Sequence, residues 1–384
     1  MLSVKVFLRA FSLFFLLFLI SCSPQPSRFG VVFTKNNLDI YQMSDNIQRE
    51  IEQLTFTPTV GEYRVMVSNR GEEIVFQAGL IDMSEGFSES MIEENRHIYL
   101  LDTTSKELVD ITSVLVEYEQ VWQNFSMDWL PDQKQYIVLT DKIIDSEIRN
   151  YLEIINSNGE SKKKILIPNA GEVPSITQSI MWSLDGRKVV LTQGVVSREN
   201  REQYPGSAIM VYDLEIDDIV QITDYKDQCL PQKWSPISQA IVATCSSSIS
   251  VREGVSTQRV VRIFDTENPR LPDEGVAFSS CYDPSWSPDG KHIVFVCDKE
   301  VNQPGIFIVN SSGDDLHEVN LGNLAHSTVL KDPIWSPDGT QIVYVAGSDA
   351  GSTKIYSVNR DGSNNYPLTD QEDYYILVSV YPVP

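Results

Sequence analysis

Side chains able to do chemistry are few and dispersed in this sequence. The four histidines, His97, His292, His317 and His326, never fall at the paired spacing of a zinc site. Each reads as a surface or turn residue. A serine hydrolase would carry Gly-x-Ser-x-Gly, and the nearest strings, Gly86–Ser90 and Gly254–Gln258, lack the final glycine. Neither Gly-x-Gly-x-x-Gly nor a Walker sequence occurs, so nucleotide binding has no support. No residue is assigned to catalysis, and no metal or cofactor is called for. Cysteine is the type whose spacing repeats. Cys229 and Cys245 stand 16 residues apart, and so do Cys281 and Cys297.

The fifth cysteine, Cys22, sits at the end of a different pattern. Lys5 and Arg9 precede an apolar run over residues 10–20, and the small residues Ser21 and Cys22 follow. That order of positive, apolar and small residues marks residues 1–21 as a signal peptide. The run is about half the ~20 residues that a spanning helix needs. Leu19-Ile20-Ser21-Cys22 resembles the lipobox of bacterial lipoproteins, which implies a lipidated Cys22 as the mature first residue. Residues 22–28 would then be a short tether, and residues 29–384 the folded body. The protein is expected to be exported to the cell envelope. It would be held on a membrane by its lipid anchor, at the periplasmic face of an outer membrane or the outer surface of a cell membrane.

The elements that must position any site are set by internal repeats. Trp-Ser-Pro-Asp-Gly occurs at Trp286–Gly290 and again at Trp335–Gly339, so Trp286, Asp289, Gly290, Trp335, Asp338 and Gly339 mark two hairpins. Weaker copies begin at Trp129, Trp182 and Trp234, and a degenerate one spans Val67–Gly71. The five tryptophans are 53, 52, 52 and 49 residues apart. Pro presets the first turn angle, Asp bonds nearby amides and Gly accepts positive φ, so each copy reads as a tight hairpin followed by a strand. A second half-repeat, an Ile/Tyr-rich strand returning to Leu/Ile-Thr, alternates with it, as over Ile98–Thr112 and Ile209–Thr223. Each unit of about fifty residues thus supplies four antiparallel strands. One such sheet cannot cover its own apolar faces, so several must stack around an axis.

These repeats resemble those of the TolB family and of the propeller domains of tricorn-type and prolyl-oligopeptidase-type peptidases, over nearly the whole mature chain. The resemblance implies an all-β propeller of four-stranded blades. The second half-repeat occurs seven times and the tryptophan half six, which leaves the first unit without its innermost strand. The strand-like end, Tyr375–Val380, would complete blade 1 and close a seven-bladed ring. A six-bladed ring with residues 29–55 as a separate flap is the alternative. The TolB likeness implies a non-catalytic protein that presents a face to a protein or peptide partner. The rival is a glycan-active enzyme or ligand sensor that uses the channel mouth.

Net charge narrows the partners. With 53 acidic and 30 basic residues the chain carries −23, so no nucleic acid is expected as a partner, and its only run of three basic residues, Lys162–Lys164, reads as a solvated strand edge whose lysines block unwanted strand pairing. The longest stretches between second and third strands, Gln77–Asn95, Gln193–Ser207 and Ser246–Gln258, read as loops on one face and as the place for recognition. The cysteines lie five residues before and eleven after Trp234 and Trp286, opposite each other on the two innermost strands of a blade. In an oxidising compartment this pairs Cys229 with Cys245 and Cys281 with Cys297. A Cys245–Cys281 bond between neighbouring blades, or four buried free thiols, are the alternatives. Non-reducing peptide mapping is expected to recover the two intra-blade bonds. Four alkylatable thiols would refute them.

Overall fold

The computed structural model describes residues 29–383 apart from 37–38, 45–49, 57–59, 69, 81–96, 113–125, 131–134, 145–146, 157–159, 168–174, 196–206, 252–253, 268–276, 301–302 and 350–351. The signal segment, Cys22 and the tether lie outside the described residues, as do Trp122, the acidic stretch after Gln77 and most of Gln193–Ser207. Seven four-stranded antiparallel sheets follow one another, each running from an inner to an outer strand. Blades 2 to 7 span residues 60–110, 126–167, 175–221, 229–279, 281–318 and 329–367. Blade 1 takes three strands from residues 29–53 and its innermost strand, Tyr375–Pro382, from the other end of the chain. The count is seven blades, not six.

Alternation along each strand explains why the sheets stack. Val31 and Phe33 pack with Val343 and Ile355 of blade 7, while Val32 and Ile40 pack with Ile74 and Phe76 of blade 2. The same two-sided use of strands recurs throughout, and the seven apolar clusters occupy the seven seams, one each. The core is therefore a set of radial layers, and a blade is stable only between neighbours.

The repeat motif is turn chemistry. In the hairpins after Trp182, Trp286 and Trp335, the Ser hydroxyl (Ser183, Ser287, Ser336) donates to the Asp carboxylate two residues on at 2.7, 2.6 and 2.6 Å. It also accepts the amide five residues on, at 2.9 Å in all three. Gly186, Gly290 and Gly339 sit at φ of 71, 64 and 70°, which L side chains rarely adopt. The degenerate copy keeps the frame with Ser68 accepting Glu73 N–H at 3.0 Å and Gly71 at φ 69°. The threonine ending the other half-repeat has its own role. Thr55, Thr112, Thr223 and Thr369 accept the amides of Ile40, Ile98, Ile209 and Ile355 at 2.9, 2.8, 2.9 and 3.1 Å, which ties the outer return to the third strand.

The C-terminal strand closes the ring. It pairs with Phe29–Lys35 over seven positions, with a bulge between Val32 and Phe33, and the Lys35–Asp373 ion pair at 2.9 Å marks its start. Tyr381 then locks two blades. A Cβ at Gly30 would lie 2.1 Å from its ring, and one at Gly71, in the first hairpin of blade 2, would lie 2.4 Å from it. Its hydroxyl bonds Gln42. Tyr381→Ala is expected to destabilise the fold by ~3 kcal/mol, the ordinary cost of emptying a buried aromatic site. Thermal unfolding measures this; a loss within error of zero would show that the ring does not rely on this lock.

Candidate functional site at the two mouths of the channel

Every inner strand but that of blade 3 carries a register shift before its tryptophan or the equivalent residue, so a bulged residue breaks the ladder beside the axis. In blades 6 and 7 that residue is Asp283 or Asp332, held at φ 52 and 53°, where Asp is among the few tolerated side chains. Asp283 accepts the backbone N–H of Asp332 at 3.3 Å, and Asp332 in turn accepts that of Leu377 on the closing strand. Asp128, one residue before Trp129, reaches the next blade in the same way. It accepts Trp182 N–H at 2.5 Å and Trp129 N–H at 2.9 Å. Three inner-strand carboxylates thus staple the seams between blades 3 and 4, 6 and 7, and 7 and 1. Two indoles add further ties. Trp234 Nε1 donates to Met181 O and Trp335 Nε1 to Ser285 O, both at 3.2 Å across a seam.

Enclosure raises all three carboxylates. Burial lifts Asp128 to about 6, against the pull of its two amide donors and of Lys233. Burial and then the negative charge of Asp283 lift Asp332 to about 7. Asp283 rises through burial too, and burial lowers the neighbouring Lys331, whose ammonium lies 4.5 Å from the centre of the Tyr374 ring.

At the hairpin mouth the channel widens into a cavity of about 560 Å³ to which all seven blades contribute. Met66, Trp129, Trp182 and Trp234 line one side, and Trp286, Trp335 and Val380 the other. The tryptophans are buried to within 9% of full enclosure and act as a wall. Lys233 is an exposed cation on this wall, and Asp128 lies within it. On the same face stand exposed aliphatic side chains, Leu184 at 47%, Ile216 at 69% and Ile237 at 67%, of which Leu184 also lines the cavity. Ile237 leans on Gly290 of the next hairpin, and Gln239 Nε2 bonds Asp185 at 3.2 Å, so blades 4 to 6 form one continuous surface there.

The opposite mouth carries the disulfides. Cys229–Cys245 and Cys281–Cys297 both form between residues in direct register on the two inner strands. Beside the second, Arg259 lies 3.8 Å above the Tyr282 ring, and Tyr282 donates to Asp298 at 3.2 Å. The reading of Ser246–Gln258 as a loop needs correction: Ala240–Val251 and Gly254–Asp265 pair along their whole length as a long hairpin. The histidines do not converge. His97 meets Asp110 on blade 2, His292 meets Arg360 across the seam between blades 6 and 7, and His317 lies on the outer strand of blade 6. No group of three or more metal-ligating side chains occurs among the described residues.

Sequence reasoning found the tryptophans, turns and cysteines but passed over Asp128, Asp283 and Asp332. A signal existed for two of them, because Asp-Pro-x-Trp stands at Asp283–Trp286 and again at Asp332–Trp335.

No protein-family model matches the sequence, and no curated protein matches it. Among solved structures, a prolyl endopeptidase is similar with TM-score 0.58 and 11% identity over 91% of this chain, which spans half of that longer chain. The β-propeller domain of the Trilobed protease from Pyrococcus furiosus is similar with TM-score 0.52 and 12% identity, over 91% of this chain and 96% of that one. An oligogalacturonate lyase solved with manganese has TM-score 0.52 and 14% identity, over 88% and 84%. TolB from Acinetobacter baumannii matches with TM-score 0.43. These likenesses show the fold, a β-propeller. This chain is a seven-bladed member closed by its own C-terminal strand.

The raised carboxylates set a pH dependence. A group whose folded value lies above its unfolded value near 3.8 stabilises the fold at low pH, and that contribution fades as pH climbs through the folded value. Melting temperature is therefore expected to fall between about pH 4 and pH 7. Asp332→Asn, which keeps an acceptor for Leu377 N–H, is expected to gain ~2 kcal/mol more at pH 8 than at pH 5. A variant equally less stable at both values would show that the charged form is preferred.

Proposed function

We propose that this protein is a non-catalytic, lipid-anchored envelope propeller that binds a protein or peptide partner on its hairpin face, with an apolar side chain of the partner seated in the tryptophan-walled mouth. One observation carries the reading. At the hairpins of blades 4 and 5 the repeat is broken in favour of exposed aliphatic residues: Leu184 stands at the Pro position and Ile237 at the Asp position. Ile237 forfeits the Ser–Asp bond kept in the hairpins after Trp182, Trp286 and Trp335, and it remains 67% exposed despite its contact with Gly290. A contiguous exposed apolar patch beside a cavity of ligand size is the usual form of a recognition surface. The disulfides fit export, and the pattern ending in Cys22 fits a lipid anchor. The absence of hydrolase and nucleotide motifs from the sequence fits a binding role.

A photo-crosslinking residue placed at Ile237 in the native host is expected to capture one protein repeatedly, while the same residue at Asp298, on the opposite face, captures none. Leu184→Asp, with the crosslinker kept at position 237, is expected to abolish the adduct without lowering the melting temperature. Cys22→Ser is expected to move the protein from the membrane to the soluble fraction. Recovery of no protein adduct, together with glycan cleavage by purified protein, would overturn the proposal in favour of a glycan-active enzyme.

A further inference from the structure

The outer edges of the seven blades are not alike. In six of them the edge strand has two to four residues: Ile51–Gln53, Leu108–Asp110, Asp218–Gln221, Ala277–Ser279, His317–Glu318 and Tyr366–Pro367. Short edges and an edge proline are the usual protection against unwanted strand pairing. Blade 3 instead ends in the seven-residue strand Ser161–Ile167, which pairs on its inner side with Glu147–Asn156, with a bulge at Lys162, and with no other described strand. Its outer row of backbone donors and acceptors is the longest such edge among the described strands.

The side chains on that edge specify a charge. Lys162, Lys163 and Lys164 are exposed, in a chain of net charge −23 that has no other run of three basic residues. Lys164 is engaged by Glu153 at 3.8 Å and lies over the Tyr151 ring, and Lys162 meets Glu160 at 3.4 Å. Lys163 has no ion pair with a described residue. Leu166, 49% exposed, adds an apolar contact on the same strand, while Ile165 and Ile167 anchor it in the seam with blade 4. A second copy of this strand would set lysines against lysines, so self-association through the edge is disfavoured. An acidic strand meets opposite charge at each position.

We infer that the outer edge of blade 3 is a strand-addition site that takes an extended acidic segment of a partner protein as a fifth strand, with main-chain bonds supplying affinity and the lysines selecting charge. This surface lies on the rim, away from the hairpin face. Its failure would leave the reading of that face untouched, and the reverse holds as well.

The test uses a fluorescent seven-residue peptide of alternating Glu and Val, and the same peptide with alternate backbone nitrogens methylated. Anisotropy with the whole protein is expected to show saturable binding of the first and at least ten-fold weaker binding of the second. Hydrogen exchange is expected to slow at residues 161–167 alone. Lys162→Glu/Lys163→Glu, which spares the Lys164–Glu153 pair, is expected to weaken the acidic peptide at least ten-fold, keep the melting temperature and bind a Lys/Val peptide instead. Equal binding of the methylated peptide would mean simple charge adhesion. That result, no saturable binding of the acidic peptide, or protection elsewhere on the ring would each overturn the inference.

Discussion

Everything in this molecule depends on the pairing of its last strand with its first. Phe29–Lys35 is buried along almost its whole length and could not serve as an open edge. Tyr375–Pro382 covers that edge, and its side chains enter two seams at once: Tyr375 and Leu377 join the cluster with blade 7, and Tyr381 the cluster with blade 2. Each sheet is covered only by its neighbours, so opening the ring at blade 1 uncovers two apolar layers together. The ends of the chain are held by the same contacts that hold the blades.

The seams also account for how a strongly acidic chain uses buried carboxylates. Asp128, Asp283 and Asp332 each accept a backbone amide of the next inner strand, which compensates part of the cost of enclosing them. Covering a bulge with an apolar residue would save that cost but would leave the facing amide without an acceptor. Two of the three lie around blade 7, and Asp332 ties that blade to the closing strand. The chemistry of the channel wall is thus directed at keeping the inner strands together, and Arg259, Tyr282 and Asp298 satisfy one another in a similar way.

The ring was legible in the sequence because it is periodic. Tryptophan spacing, turn residues and the unmatched first half-repeat led to seven blades and to the terminal strand as the missing piece. The cysteines were legible because their offsets from Trp234 and Trp286 fix their register in a hairpin of known geometry. Asp283 and Asp332 were passed over although Asp-Pro-x-Trp repeats at both, since a bulge moves a side chain from a face of the sheet to its edge and the alternation of residues does not record it. Ser246–Gln258 read as a loop because its serines carry no hydrophobic alternation, yet backbone pairing alone continues the hairpin through Val251 and Gly254. The cavity was hidden for a further reason: its wall takes one contribution from each blade, and residues some fifty positions apart meet only when the ring closes.

A motif repeated in every blade is accounted for by the turn it builds, and such a motif cannot mark a function that resides in one place. The informative positions are those where a copy departs from the rest at a cost. Leu184 and Ile237 give up turn chemistry and expose aliphatic carbon on one face. The edge of blade 3 gives up the short strand that its six counterparts use. Neither departure touches the closing strand. Stability and the proposed recognition surfaces therefore occupy different residues in this fold: the ring is held by what its blades share, and the surfaces proposed for partners lie where individual blades have changed.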